Sequence, residues 1–140
     1  MNAMLIAEYI ISKCYNDQKP VSNLKLQKML YFLFGYYCKK YDEYLFEDDF
    51  VAWKLGPVIL DVYFSFNNNI SNPICESFDV DLELSSDRIS FIDKKIEELQ
   101  VKSTWELVEE SHKTTPWINA FAKGKGHIIE SFDIATYFEA

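Results

Sequence analysis

The sequence predicts a mostly α domain with a small β element (α+β), a bundle of about six to seven helices carrying a β-hairpin and one further short strand. Three observations predict it. Apolar residues recur at helical spacing through most of the chain, helix-start signatures stand at Ser22 and at Ser103–Glu106, and only two short stretches favour strands. With 140 residues, 49% of them apolar and 16% aromatic, one core is expected, and a single domain over residues 4–140.

The first helix is expected over residues 4–16, where Leu5, Ile6, Tyr9, Ile10 and Cys14 share a face, before the breaker Asn16-Asp17-Gln18-Lys19-Pro20. Ser22 then caps a second helix to about Tyr41, with Val21 and Leu26 at the two positions of a hydrophobic staple. Its apolar positions cover so much of the circumference that it should be central. Tyr44-Leu45-Phe46 and Phe50-Val51-Ala52-Trp53, joined by an acidic turn at Glu47-Asp48-Asp49, read as the hairpin. Gly56-Pro57-Val58 reads as the start of a third helix to about Phe66, because proline is tolerated at a first helical position.

Residues 67–85 form a long connection in which Phe78 to Leu84 alternate strictly, the pattern of one half-buried strand. Ser85 or Ser86 opens a helix with Ile89, Ile92, Ile96 and Leu99 on one face. Ser103 and Glu106 have capping-box spacing for a helix from Thr104 to near Lys113. Thr115-Pro116 starts a short helix with Trp117, Ile118 and Phe121, Lys123-Gly124-Lys125-Gly126 reads as a flexible turn, and a last helix covers about Phe132–Phe138.

The formal charge of −8 is uneven: residues 1–70 hold seven Lys against eight Asp/Glu, residues 71–140 seven Lys/Arg against fourteen. Such a balance disfavours direct nucleic-acid binding, which needs clustered cations, and the acidic half suits a basic partner. Cys14, Cys38 and Cys75 are odd in number and widely spaced, so neither a disulfide framework nor a zinc site is expected. Glu8 interrupts the only candidate signal-peptide stretch and no run of about 18 apolar residues occurs, so a cytoplasmic protein without membrane contact is expected.

No motif for a nucleophile elbow, a P-loop, a dinucleotide fold or a zinc protease is present. Gly124 and Gly126 between lysines suit a polar turn better than an anion site, and Asp48-Asp49 a solvated turn better than a metal. His112, close to Glu109 and Glu110, is the best acid–base candidate, but a histidine in the last turn of a helix also answers the helix dipole. No catalytic residue, cofactor or metal is therefore expected. The unusual feature is aromatic density: Tyr31, Phe32, Phe34, Tyr36, Tyr37, Tyr41, Tyr44 and Trp53. Their tyrosine content suggests a partly exposed aromatic groove of the kind that grips proteins.

The run Leu24-Lys25-Leu26-Gln27-Lys28-Met29-Leu30-Tyr31-Phe32, continued by Gly35, resembles the opening motif of the Panacea, or SocA-like antitoxin, domain family. Ala52-Trp53-Lys54-Leu55-Gly56-Pro57-Val58 resembles its second block, with Val62-Tyr63 at a hydrophobic–Tyr pair. Ser111-His112 with Pro116-Trp117, and Ile134 with Tyr137-Phe138, resemble the later ones. Leu55 departs from the aromatic usual there, and residues 67–100 have no match.

The resemblance implies a largely helical domain serving as the antitoxin of a type II toxin–antitoxin system of bacteria or phages, neutralising a cognate toxin protein by direct binding and not acting as an enzyme. It implies a partner-binding neighbourhood made by Lys28, Tyr31, Trp53, Gly56, Pro57, His112 and Trp117. Some members of the family are adaptors that hand a toxin to a protease, so a proteolysis adaptor, or a phage-encoded regulator, is the alternative. A small enzyme using His112 and Lys28 is a third reading.

Overall fold

The computed structural model describes residues 1–140. Its helices are α1 (Ala3–Asn16), α2 (Asn23–Tyr41), α3 (Leu60–Ser65), α4 (Ser86–Gln100), α5 (Thr104–His112), α6 (Thr115–Ala122) and α7 (Ser131–Glu139). Strands β1 (Phe50–Trp53), β2 (Gly56–Val58) and β3 (Ile128–Ile129) form one antiparallel sheet in the order β2-β1-β3. The class is thus mostly α with a small β part.

The capping signals act where the sequence places them. Ser22 Oγ accepts from Lys25 N, Ser85 Oγ from Arg88 N, and Ser103 and Glu106 exchange both bonds of a capping box. Helix α2 is the axis of the molecule, packing against α1, α3, α4, α5, α7 and β2. A single cluster of 34 buried apolar residues is built around it, so there is one core.

The β element departs from expectation. Tyr44–Phe46 forms no strand, because both edges of β1 are already taken, by β2 and β3. Leu45 and Phe46 instead bury side by side, Phe46 with its ring 5.0 Å from that of Phe34. Gly56-Pro57-Val58 is the second hairpin strand and not a helix start. Trp53 pairs with Gly56 across the two-residue turn Lys54-Leu55, and α3 begins only at Leu60.

Phe78–Leu84 alternates in burial, with Leu82 inside, yet it has no ladder partner and Glu83 interrupts it with φ +54. Its anchor is a side chain, Ser12 Oγ, which accepts from Phe78 N at 2.6 Å. The further strand is Ile128–Ile129, on the other edge of β1.

Two turns are better fixed than their composition suggests. Asp48 accepts from Ala3 N at 2.8 Å and so satisfies a free donor in the first turn of α1. The Lys123–Gly126 turn is tied to β1, with Gly126 N donating to Ala52 O at 2.7 Å.

Candidate functional site

The Trp53–Val58 hairpin is where the expected site residues converge. Helix α2 holds it from one side with a column of buried polar groups one turn apart. Asn23 donates to Tyr63 O and Phe66 O at 3.0 and 3.1 Å, and accepts from Gln27 Nε2 at 3.0 Å. Gln27 Oε1 accepts from Ile59 N at 2.9 Å. Lys28 Nζ donates to Pro57 O at 2.6 Å. Polar side chains are thus buried without leaving an unpaired side-chain donor or acceptor.

Lys28 is fully buried with no carboxylate against it, and burial pushes its ammonium down to about 7 from the usual 10.5. Its stem lies under Gly56, where an added Cβ would come within 2.8 Å of Lys28 Cε and 2.6 Å of Ser111 Oγ. Gly56 also has φ +114, a conformation that side chains rarely adopt. Glycine is therefore required twice at this position, by space and by backbone.

The other side of the hairpin is held by α5 and α6. Trp117 Nε1 donates to Trp53 O at 2.9 Å, and His112 Nε2 lies 2.9 Å from Lys54 O. The His112 and Trp117 rings stack at 4.3 Å, and Phe121 stacks on Trp117 at 4.8 Å. Behind them Tyr31 hydroxyl and Thr114 Oγ1 are 2.7 Å apart, and Thr114 Oγ1 donates to Ser111 O at 2.8 Å. Thr114, not Thr115, is the cap residue of α6, and it makes no side-chain cap bond because its hydroxyl is engaged elsewhere.

Lys28, Tyr31, Trp53, Gly56, Pro57, His112 and Trp117 therefore do form one neighbourhood. Lys28, Tyr31, Gly56, Pro57 and Trp117 are buried, while Trp53 and His112 are partly open to solvent. The aromatic groove expected along α2 is mostly core: Tyr31, Phe32, Phe34 and Tyr37 are buried, and only Tyr44 of the run is exposed. Tyr31 sits edge-on to Phe32, Phe50 and Phe138, with ring centroids at 5.4, 5.5 and 5.8 Å. Desolvation there raises its phenol above the usual range.

On its open side the hairpin borders a hollow of about 150 Å³, whose apolar wall is Leu24, Trp53, Leu55, Val58, Tyr63 and Ile70. Gln27, Lys54 and Lys125 complete it, with Lys125 Nζ 5.7 Å from the centre of the Trp53 ring. Sequence reasoning did not find Asn23, Thr114, Ile70 or Lys125. Asn23 alone left a signal, a polar residue four before Gln27 on an otherwise apolar helix.

The stretch that carries α2 and the clamped hairpin also falls inside the span matched in a comparison with known families. A model described as "Antitoxin SocA-like, Panacea domain" matches residues 26–118, about two thirds of the chain. The chain belongs to the SocA-like antitoxin, Panacea domain family. The matched span opens at Leu26, beside the Asn23–Gln27–Lys28 column, and closes at Ile118, just past Trp117, so it contains the whole clamp from Gln27 onward. Antitoxin SocA of Caulobacter vibrioides is 38% identical over 69 residues, which is 49% of this chain and 37% of that protein. The chain thus aligns with little more than a third of that relative's length. No solved structure matches.

No group of three or more His, Cys, Asp or Glu side chains is placed to hold a metal ion. No helix is long and apolar enough to cross a membrane.

Proposed function

We propose that this chain is the antitoxin of a type II toxin–antitoxin pair, and that it neutralises a cognate toxin, encoded beside it, by presenting the clamped hairpin and its hollow as a rigid docking face. The observation that carries this is how the side chains packed around the hairpin are engaged. Lys28, Gln27, His112 and Trp117 each bond a main-chain group of residues 53–59, so their combined effect is to fix one backbone segment. Fixing a loop before it meets a partner lowers the entropy lost on binding. Family membership supports the antitoxin role, and the apolar hollow beside the fixed segment supplies a surface on which a partner can be anchored.

His112 has the position of a brace. Its Nε2 is committed to Lys54 O and its ring is covered on one face by Trp117. Both contacts hold without a substrate, and no carboxylate pairs with the ring.

The test is growth. The gene product encoded next to this chain should arrest growth when expressed alone, and co-expression of this chain should restore it. Leu55→Asp, at an exposed tip position, should abolish rescue with an unchanged circular dichroism spectrum. If no neighbour is toxic and the chain purifies alone, the antitoxin reading fails.

A further inference from the structure

The charge around the hollow is opposite in sign to that of the molecule. Residues 50–60 and 114–129 contain Lys54, Lys123 and Lys125, one histidine and not one carboxylate, in a chain of formal charge −8. The fold joins these two stretches: β3 pairs with β1, α6 packs against β1, and the Lys123–Gly126 turn is bonded to Ala52. The ion pairs of the structure are made by Lys13, Arg88, Lys95 and Lys102, so none of these three lysines is neutralised from within.

We propose that the hollow takes one large apolar side chain from an acidic segment of the partner protein, with carboxylates beside that anchor meeting Lys54 and Lys125. This rests on the antitoxin reading only for the partner's identity. A hollow of about 150 Å³ with an apolar wall matches the space an aromatic ring or a branched aliphatic side chain fills. Leu55 and Ile70 are 39% and 47% exposed, so an anchor placed there removes apolar surface from water that the free chain leaves uncovered. Lys54 and Lys125 lie on the lining itself, one of them over the Trp53 ring, where they attract carboxylates flanking the anchor and repel a basic segment. A nucleic acid is disfavoured on the same charges, since 22 carboxylates on one small domain repel a long polyanion, while a short acidic segment reaches only the cationic face.

The experiment is selection of a random peptide library on the intact chain, followed by affinity measurement of the enriched peptides on wild type and on the double variant Lys54→Glu/Lys125→Glu. Both lysines are exposed, so the variant should fold, which circular dichroism checks. Enrichment of Leu, Ile, Met or Phe flanked by Asp or Glu, with affinity falling about tenfold or more in the double variant and with rising salt, is the expected result. The same variant should weaken capture of the neighbour-encoded protein. No enrichment, enrichment of basic peptides, equal affinity for the double variant, or displacement of the peptides by a single-stranded oligonucleotide overturns the proposal. A chain that binds acidic peptides but has no toxic neighbour loses the antitoxin reading alone. One whose double variant still neutralises and binds as wild type loses this inference alone.

Discussion

Lys28→Met separates the two things Lys28 contributes, its stem and its charge. Methionine keeps an unbranched chain under Gly56 but removes the donor to Pro57 O. With the folded ammonium at about 7 and the unfolded one at 10.5, the unfolded chain binds more protons between those values, so wild-type stability rises with pH across that window. Below about pH 7 both states are charged, and the folded state carries the whole cost of a buried ammonium. Integrating from pH 7 to pH 8.5 gives a gain of about 2 kcal/mol for wild type that the variant lacks.

Burial also raises the thiols of Cys14 and Cys38, the latter to about 12, and so gives an opposite slope above pH 9. That slope is common to both proteins and cancels in their difference. The assay is urea denaturation of wild type and variant in half-unit pH steps. The loss of the bond to Pro57 O costs the variant about 1–3 kcal/mol at the alkaline end, and the difference should narrow or reverse towards pH 6. Two stability curves that run parallel from pH 6 to pH 8.5 would refute the reasoning, since Lys28 would then titrate alike in both states.

Gly56→Ala should destabilise by more than about 2 kcal/mol in the same assay, because it adds a contact at 2.6 Å to a backbone with φ +114. Trp117→Phe keeps a ring against His112 but leaves Trp53 O without its donor, so a loss of about 1–2 kcal/mol is expected, with reduced rescue in the growth test. Gly35→Ala, a change that ordinarily strengthens a helix, should here cost about 1–3 kcal/mol, because the new methyl group would sit 2.3 Å from the Phe138 ring. Hydrogen exchange should show α7 protected less in that variant, and unchanged protection would place the cost elsewhere.

The helices were legible because their signals are local. Ser22, Ser85 and the Ser103–Glu106 pair each lie within one turn of the helix they start, so a short window of sequence contains the whole interaction. Of the sheet only β1 was legible, as Phe50–Trp53, and the rest was not, for three distinct reasons. Lys54-Leu55 carries no turn signal, and the glycine that reverses the chain stands after the turn, next to a proline that imitates a helix start. Phe78–Leu84 alternates because one face rests on the core, and burial alone produces that pattern without a neighbouring strand. Ile128–Ile129 is too short to show any period.

The site was legible as a set of residues but not in its layout. Its members were read from motifs that resemble a family, while the division between buried braces and exposed surface depends on contacts 29 to 83 residues apart in the chain. Aromatic density on α2 marked the core axis, and the open hollow is built instead from ordinary residues such as Leu24, Leu55 and Ile70.

The hydrogen bonds that hold the hairpin end on carbonyls and one amide: Trp53 O, Lys54 O, Pro57 O and Ile59 N. Main-chain atoms are the same whatever residue carries them. Lys54 and Leu55 at the tip can therefore be exchanged for other residues while the frame beneath them keeps every bond. On the docking face proposed above, single substitutions at the tip leave the scaffold intact, because it is indifferent to what the tip displays.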